Sequence, residues 1–373
     1  MENINYLYFQ MTGPYRAAKI KEEQRMKRTR LIALLLAILM VAALAGCAAK
    51  QAPASAEAGQ TAEEKDVTYY YIGVNNNHPY WYDVHQGFEY AAEQLGVRVV
   101  KSGVDGWDPQ GQAAALEQAI TKNPDGIIVP VFDASMLPGL KAAKEAGIPV
   151  VAIESTMEDA EVVSYIGLDN YDSGKQTAKQ LIEYGGDGGK VVIMGNWGAA
   201  NTDQKLAGLE DYLASNGSWE IIAKLDDKAV TETAIEQAKA AFNNYPEMTA
   251  IIGLDSSSGA GIGAAMEELG KEPGSITVVV HDREVLTLEY IEKGYLNCTM
   301  VNKTASMPFL ALQILEGIVK HNMQGLPISA DNAASGVNAV PEVCYNGTVV
   351  ITQDNVENFM VSNMTAYDSE YYG

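Results

Sequence analysis

Polar and aromatic residues gather at a few places along this chain, each directly after an apolar run. In order they are Asn75-Asn76-Asn77-His78-Pro79-Tyr80-Trp81, Phe132-Asp133, Glu154-Ser155, Asn196-Trp197, Asp255-Ser256, His281-Asp282-Arg283 and Asn302. Carboxylates and amides exchange hydrogen bonds with the hydroxyls of a small molecule, and aromatic rings cover its apolar faces. Each side chain also has a plainer reading. Trp81 can be a core aromatic, although Pro79 and the Asn run place it in a loop. Asp255 and Asp282 can cap the helices that follow them. Glu154 can be a solvated rim charge, and His78 a loop histidine satisfied by its neighbours. Trp197 and Trp107 are weaker candidates for the same site. A carboxylate pair such as Asp255 and Asp282 also suits a glycoside hydrolase. The chain has no HExxH, GxSxG or P-loop motif, and only 4 histidines, so binding without turnover, with no metal and no cofactor, is the expectation.

The apolar runs that precede these residues are short and continuous. Val67–Val74, Val97–Val100, Gly126–Val131, Val150–Ile153 and Val162–Ile166 read as strands, with amphipathic helices between them. The pattern then restarts. Lys190–Met194, Trp219–Leu225, Thr249–Leu254, Ile276–Val280 and Leu296–Val301 are strands, and helices fall near 173–184, 203–215, 231–243, 257–269 and 284–293. A last helix at Ser306–His321 precedes a short strand at Thr348–Ile351. Apolar strands alternating with helices predict an α/β fold of two doubly wound parallel-sheet lobes. In such sheets ligands sit beyond the carboxyl ends of the strands. The polar and aromatic clusters are at those ends, which predicts one cleft between two lobes.

The formal net charge is -22 over 373 residues. So acidic a surface repels nucleic-acid phosphates and anionic lipid, and excludes DNA, RNA and polybasic membrane binding. Lys27, Arg28 and Arg30 precede an apolar run, Leu31–Leu44, that is too short for a comfortable membrane span and ends in Leu44-Ala45-Gly46-Cys47. This resembles a bacterial lipoprotein signal, spanning 26–47, in which Cys47 is lipidated and becomes the mature N-terminus. Residues 48–66 hold almost no bulky apolar residue and read as a flexible tether. Cys298 and Cys344 remain. An extracytoplasmic compartment permits a disulfide between them, and two buried thiols is the alternative.

Between Tyr69 and Phe359 the chain resembles the ribose/galactose-type periplasmic sugar-binding family, which has the type I periplasmic-binding fold and includes LacI-like repressors. The resemblance is carried by Asn77-His78-Pro79-Tyr80-Trp81, Asp125-Gly126-Ile127-Ile128-Val129-Pro130, Ala146-Gly147-Ile148-Pro149-Val150-Val151, Ile166-Gly167-Leu168-Asp169-Asn170, Val279-Val280-His281-Asp282 and Thr352-Gln353-Asp354-Asn355-Val356. It implies a three-strand hinge, one lobe from 67–169 plus 303–345 and another from 170–302 plus 346–373. Ligand contacts are implied at His78, Tyr80, Trp81, Glu154, Asp255, Asp282 and Asn302. Asp133 and Trp197 follow strands, and Asp203, like Asn201, lies in a loosely matching loop. Many sugar binders carry arginine where this chain has Ser155, and another near Asp203. Their absence favours a neutral, or even cationic, ligand. The expectation is an extracytoplasmic lipoprotein held to the cell membrane only by lipid, which captures a neutral carbohydrate or polyol for an ABC transporter permease. A sensory receptor for a sugar-like signal, acting through a kinase or chemoreceptor, is the alternative.

Overall fold

The computed structural model describes residues 67–325 and 338–360, all within one compact unit, Glu64–Gly373. The signal segment with Cys47, the tether and residues 361–373 lie outside the described residues. Among the described residues, no helix is long and apolar enough to cross a membrane.

Strands β1 (Thr68–Gly73), β2 (Arg98–Gly103), β3 (Gly126–Val129), β4 (Val150–Glu154), β5 (Ser164–Gly167) and β11 (Val343–Tyr345) form a 6-stranded sheet, in the order β11-β5-β4-β3-β1-β2. Every neighbour in it is parallel. Strands β6 (Gly188–Gly195), β7 (Ser218–Asp226), β8 (Ala250–Gly253), β9 (Thr277–His281), β10 (Cys298–Asn302) and β12 (Thr348–Thr352) form a second, in the order β12-β10-β9-β8-β6-β7. Here only β12 runs antiparallel to its neighbour. The two orders are the same pattern used twice. Each reverses direction at its first strand, between β1 and β3 and between β6 and β8, which are the switch points where open α/β sheets bind ligands.

The helices are α1 (Tyr82–Leu95), α2 (Pro109–Ile120), α3 (Leu137–Glu145), α4 (Asn170–Gly185), α5 (Ala200–Ser215), α6 (Thr231–Asn244), α7 (Ser256–Glu268), α8 (Val285–Glu292) and α9 (Ser306–His321). Local chemistry sets several starts. Asp108 caps α2 by accepting from Gly111 N at 3.0 Å, with Pro109 in the first turn. Asp169 accepts from Asp172 N at 2.9 Å, so α4 begins at Asn170, earlier than its apolar spacing suggests.

Both faces of each sheet are covered, and the strand period shows it. Ile128, Val151 and Ile153 face one core of the first sheet, while Ile127, Val129, Val150 and Ala152 face the other. In the second sheet Val192, Met194 and Ile251 pack on one side, and Val191, Ile193 and Ile252 on the other. Helix α9 follows β10 in sequence, yet Met307, Ala311, Leu312 and Leu315 join a core of the first sheet. The chain therefore passes between sheets after β5, after β10 and between β11 and β12.

Helices α4 and α5 meet closely through two glycines. A Cβ on Gly174 would lie 1.9 Å from Lys205 O, and one on Gly208 would lie 1.8 Å from Tyr171 O. Only glycine permits that approach. It fixes α5 against α4.

Cys298 and Cys344 are free thiols; Cys298 is buried and Cys344 half-buried. They sit on strands of different sheets.

Candidate functional site

A cavity opens where the carboxyl ends of the two sheets face each other. From the first sheet it is lined by Asn75, His78, Tyr80 and Trp81 after β1, Trp107 after β2, Phe132 after β3, and Glu154 at the end of β4. From the second come Asn196, Ala229, Asp255, Ser256 and Asp282, with Asn201, Thr202 and Lys205 from α5. The free space is about 60 Å³, room for ordered water; a monosaccharide needs the two halves to part.

The backbone is strained where it meets this space. Asn75, Glu154, Ala229 and Asp282 all have positive φ, at 56°, 65°, 54° and 70°. Left-handed backbone disfavours residues other than glycine, and its concentration at one cavity marks functional positions. Glu154 and Asp282 stand at equivalent places, each at the end of the fourth strand of its pattern.

Glu154 is 6% exposed and holds a network together. Its Oε2 accepts from Asn302 Nδ2 at 2.5 Å and from Tyr80 OH. Asn302 Oδ1 in turn accepts from Asn346 Nδ2 at 3.2 Å. Tyr165 OH lies within bonding distance of both Glu154 O, at 2.9 Å, and Leu168 O, at 2.8 Å. Leu168, Asn302 and Asn346 lie at the three passages between sheets, so Glu154 is tied to all of them.

Asp255 Oδ1 caps α7, accepting from Ser257 N at 2.8 Å and Ser258 N at 3.2 Å. Behind it lies Asp227, fully buried, which accepts from Ser258 Oγ at 2.5 Å. Burial and the charge of Asp255 push Asp227 up to about 9. Burial also raises Asp282 to about 7; Lys205 opposes this, and Glu154 and Asp255 add to it. Glu284 is raised by burial and by Asp282. His78 is lowered by burial, against Asp255. Its Nδ1 accepts from Tyr80 N at 3.2 Å, which leaves Nε2 to donate to Ser257 Oγ at 3.4 Å.

His78, Tyr80, Trp81, Glu154, Asp255 and Asp282 are thus brought together, as the pattern of strand ends predicts. Trp81 is more than a cleft ring: it is 4% exposed and packs in a core with Tyr71 and Phe88. Asn302 lies behind Glu154 and outside the lining. Asp133 caps a single helical turn through Ser135 N at 2.8 Å. Trp197 packs against the second sheet. Asp203 is exposed and accepts from Gly198 N at 3.2 Å. These last three do not line the cavity. Reading only strand ends misses Lys205, which is 3% exposed and donates to Leu254 O at 3.2 Å. The available signal was Thr202 and Lys205, one helical turn apart on the buried side of α5.

Beside the cavity Arg283 forms an ion pair with Asp83 of α1, and Thr304 Oγ donates to the same carboxylate at 3.2 Å. On the other flank Ala200 N donates to Phe132 O at 2.9 Å. These contacts favour the closed arrangement without lining the cavity. Arg283→Ala should therefore weaken binding about two- to fivefold, through faster dissociation, as expected for one partly exposed ion pair. Stopped-flow kinetics reads this directly, and an unchanged dissociation rate would show that the pair plays no part in closure.

Residues 69–323 match the family model described as a periplasmic binding protein domain. The xylitol-binding protein of Mycolicibacterium smegmatis is 23% identical over 80% of this chain and 81% of its own length. The ribose import binding protein RbsB of Bacillus subtilis is 22% identical over 68% of this chain and 82% of its own. Among solved structures, a sugar ABC transporter sugar-binding protein from Bacillus halodurans shares 27% identity at a TM-score of 0.70, over 78% of this chain and 99% of that one.

Proposed function

The chain belongs to the periplasmic binding protein domain family, and from that premise we propose that it captures a sugar or polyol between two closing lobes and delivers it to an ABC transporter permease. Among the described residues, 67–169, 303–325 and 338–345 make up one lobe, and 170–302 plus 346–360 the other. Ligand hydroxyls bond to Glu154, Asp255 and Asp282, and the rings of Tyr80 and Trp81 cover an apolar face. Asn302 positions Glu154. The observation that carries this reading is the cavity lined from the carboxyl ends of both sheets by carboxylates and aromatic rings. Such a site holds hydroxyls and rejects molecules that leave its polar groups unpaired. No turnover is expected, since the relatives named above are binding proteins and the carboxylates serve the network described. A thermal-shift screen against pentoses, hexoses and polyols tests it. A rise in melting temperature with at least one of them is expected, and none with any would count against a sugar site.

The protein is held outside the cell membrane by lipid on Cys47. Cys47→Ser should release a soluble form that incorporates no labelled fatty acid. Continued labelling and membrane retention of that variant would disprove the anchor.

A further inference from the structure

The cavity is unbalanced in charge. Three carboxylates, Glu154, Asp255 and Asp282, line it against a single ammonium, Lys205. His78, the remaining ionisable ring, is held neutral by burial. Lys205 already gives one proton to Leu254 O. All three carboxylates have unused capacity. Glu154 bonds through Oε2 alone, Asp255 through Oδ1 alone, and the Asp282 carboxylate has no hydrogen-bond partner among the described residues.

The surroundings respond to this excess by taking up protons. Asp227 and Glu284, directly behind the lining, are both pushed towards the neutral acid by burial and by the charges of Asp255 and Asp282. Among the described residues, no three histidine, cysteine or carboxylate groups converge to hold a metal ion. Aromatic rings make up the rest of the wall, with Tyr80 edge-on to Trp81 at 5.1 Å and Trp107 tilted against Phe132 at 5.3 Å. Carboxylates beside aromatic faces suit an organic ammonium group.

We propose that the ligand of this cavity is a hydroxylated molecule that also carries a protonated amine, such as an amino sugar or amino polyol, with the amine between Glu154 and Asp282. This rests on the sugar-site reading above and names the ligand's charge. The ammonium takes Glu154 Oε1 and the Asp282 carboxylate, while Asp255, Asn196 and Lys205 take hydroxyls. Binding displaces protons held by the carboxyl cluster, because a cation favours their charged forms.

Calorimetric titration of matched pairs tests the inference: hexoses against 2-amino-2-deoxy hexoses, and pentitols against 1-amino-1-deoxy pentitols, with the N-acetylated hexosamine as an uncharged control. The amines should bind about tenfold or more tightly than their parents, with proton release visible as a dependence of the heat on buffer ionisation. In Asp282→Asn that preference should shrink towards parity. A purely structural role for Asp282 would weaken both members of a pair alike and keep their ratio, which would overturn the inference. So would parents that bind as tightly as their amines; the sugar-site reading would then stand alone. Binding of neither class would sink both.

Discussion

Asp227→Asn should raise the melting temperature of the unliganded protein on the alkaline side, by about 10 °C near pH 9, while leaving it almost unchanged near pH 5. Folded Asp227 is pushed up to about 9, from an ordinary carboxylate value of 3.8. Between those limits the folded chain holds a proton that the unfolded chain has released. The resulting stability is complete below the unfolded value and is lost as pH rises through about 9, a difference on the order of several kcal/mol. Asp282, raised to about 7, and Glu284, also raised, contribute with the same sign. Buried histidines act oppositely. Burial, with the charge of Lys101, holds His85 down to about 4, and His281 is lowered by burial and by Lys205. Their share is lost as pH falls through the folded values, so the wild type is most stable on the mildly acidic side of neutral. Asparagine has one oxygen, so it keeps an acceptor for only one of Ser258 Oγ and Ala229 N, a small loss at every pH, and it has no charge to bury. Differential scanning fluorimetry from about pH 5 to 9 checks this. Parallel curves for the two proteins would show that Asp227 carries no extra proton.

Trp81→Ala should cost both the fold and the site. The ring lies 6.4 Å from Tyr71, 5.1 Å from Tyr80 and 6.3 Å from Phe132, centre to centre. Removing a buried indole from such a cluster costs about 3–5 kcal/mol, and it strips the cavity of an aromatic wall. Urea unfolding should show the loss as a lower midpoint at unchanged slope. A midpoint within error of wild type would mean that the indole is only a lid on the ligand. Trp81→Phe, which keeps most of the apolar volume, should recover the larger part of the stability.

Much of the fold was legible because parallel strands buried on both faces leave continuous apolar runs, and the residues just beyond those runs are where such sheets bind ligands. That reasoning reached His78, Tyr80, Trp81, Glu154, Asp255 and Asp282. It missed β11, which at three residues is too short to show a period and is held by pairing with Tyr165–Gly167. Lys205 escaped because its direction depends on how closely α4 and α5 pack through Gly174 and Gly208, a distance that local spacing does not encode. Asp227 gives no signal in the sequence, since its burial near Asp255 arises only when distant strand ends converge. Asp133 and Asp203 show the converse: polar residues near strand ends also serve local backbone N–H groups.

The central claim is that a small hydroxylated ligand binds between the two sheets at these carboxylates and is not consumed. It is tested most directly by calorimetric titration of wild type and Asp282→Ala with the sugar, polyol or amino derivative that the screen returns. One ligand per chain is expected for the wild type, with the ligand recovered unchanged. A charged hydrogen-bond acceptor contributes about 1.5–3 kcal/mol, so the variant should bind roughly tenfold to a hundredfold more weakly, with its circular dichroism spectrum intact. Equal affinity in the two proteins, or conversion of the ligand during the titration, would contradict the account.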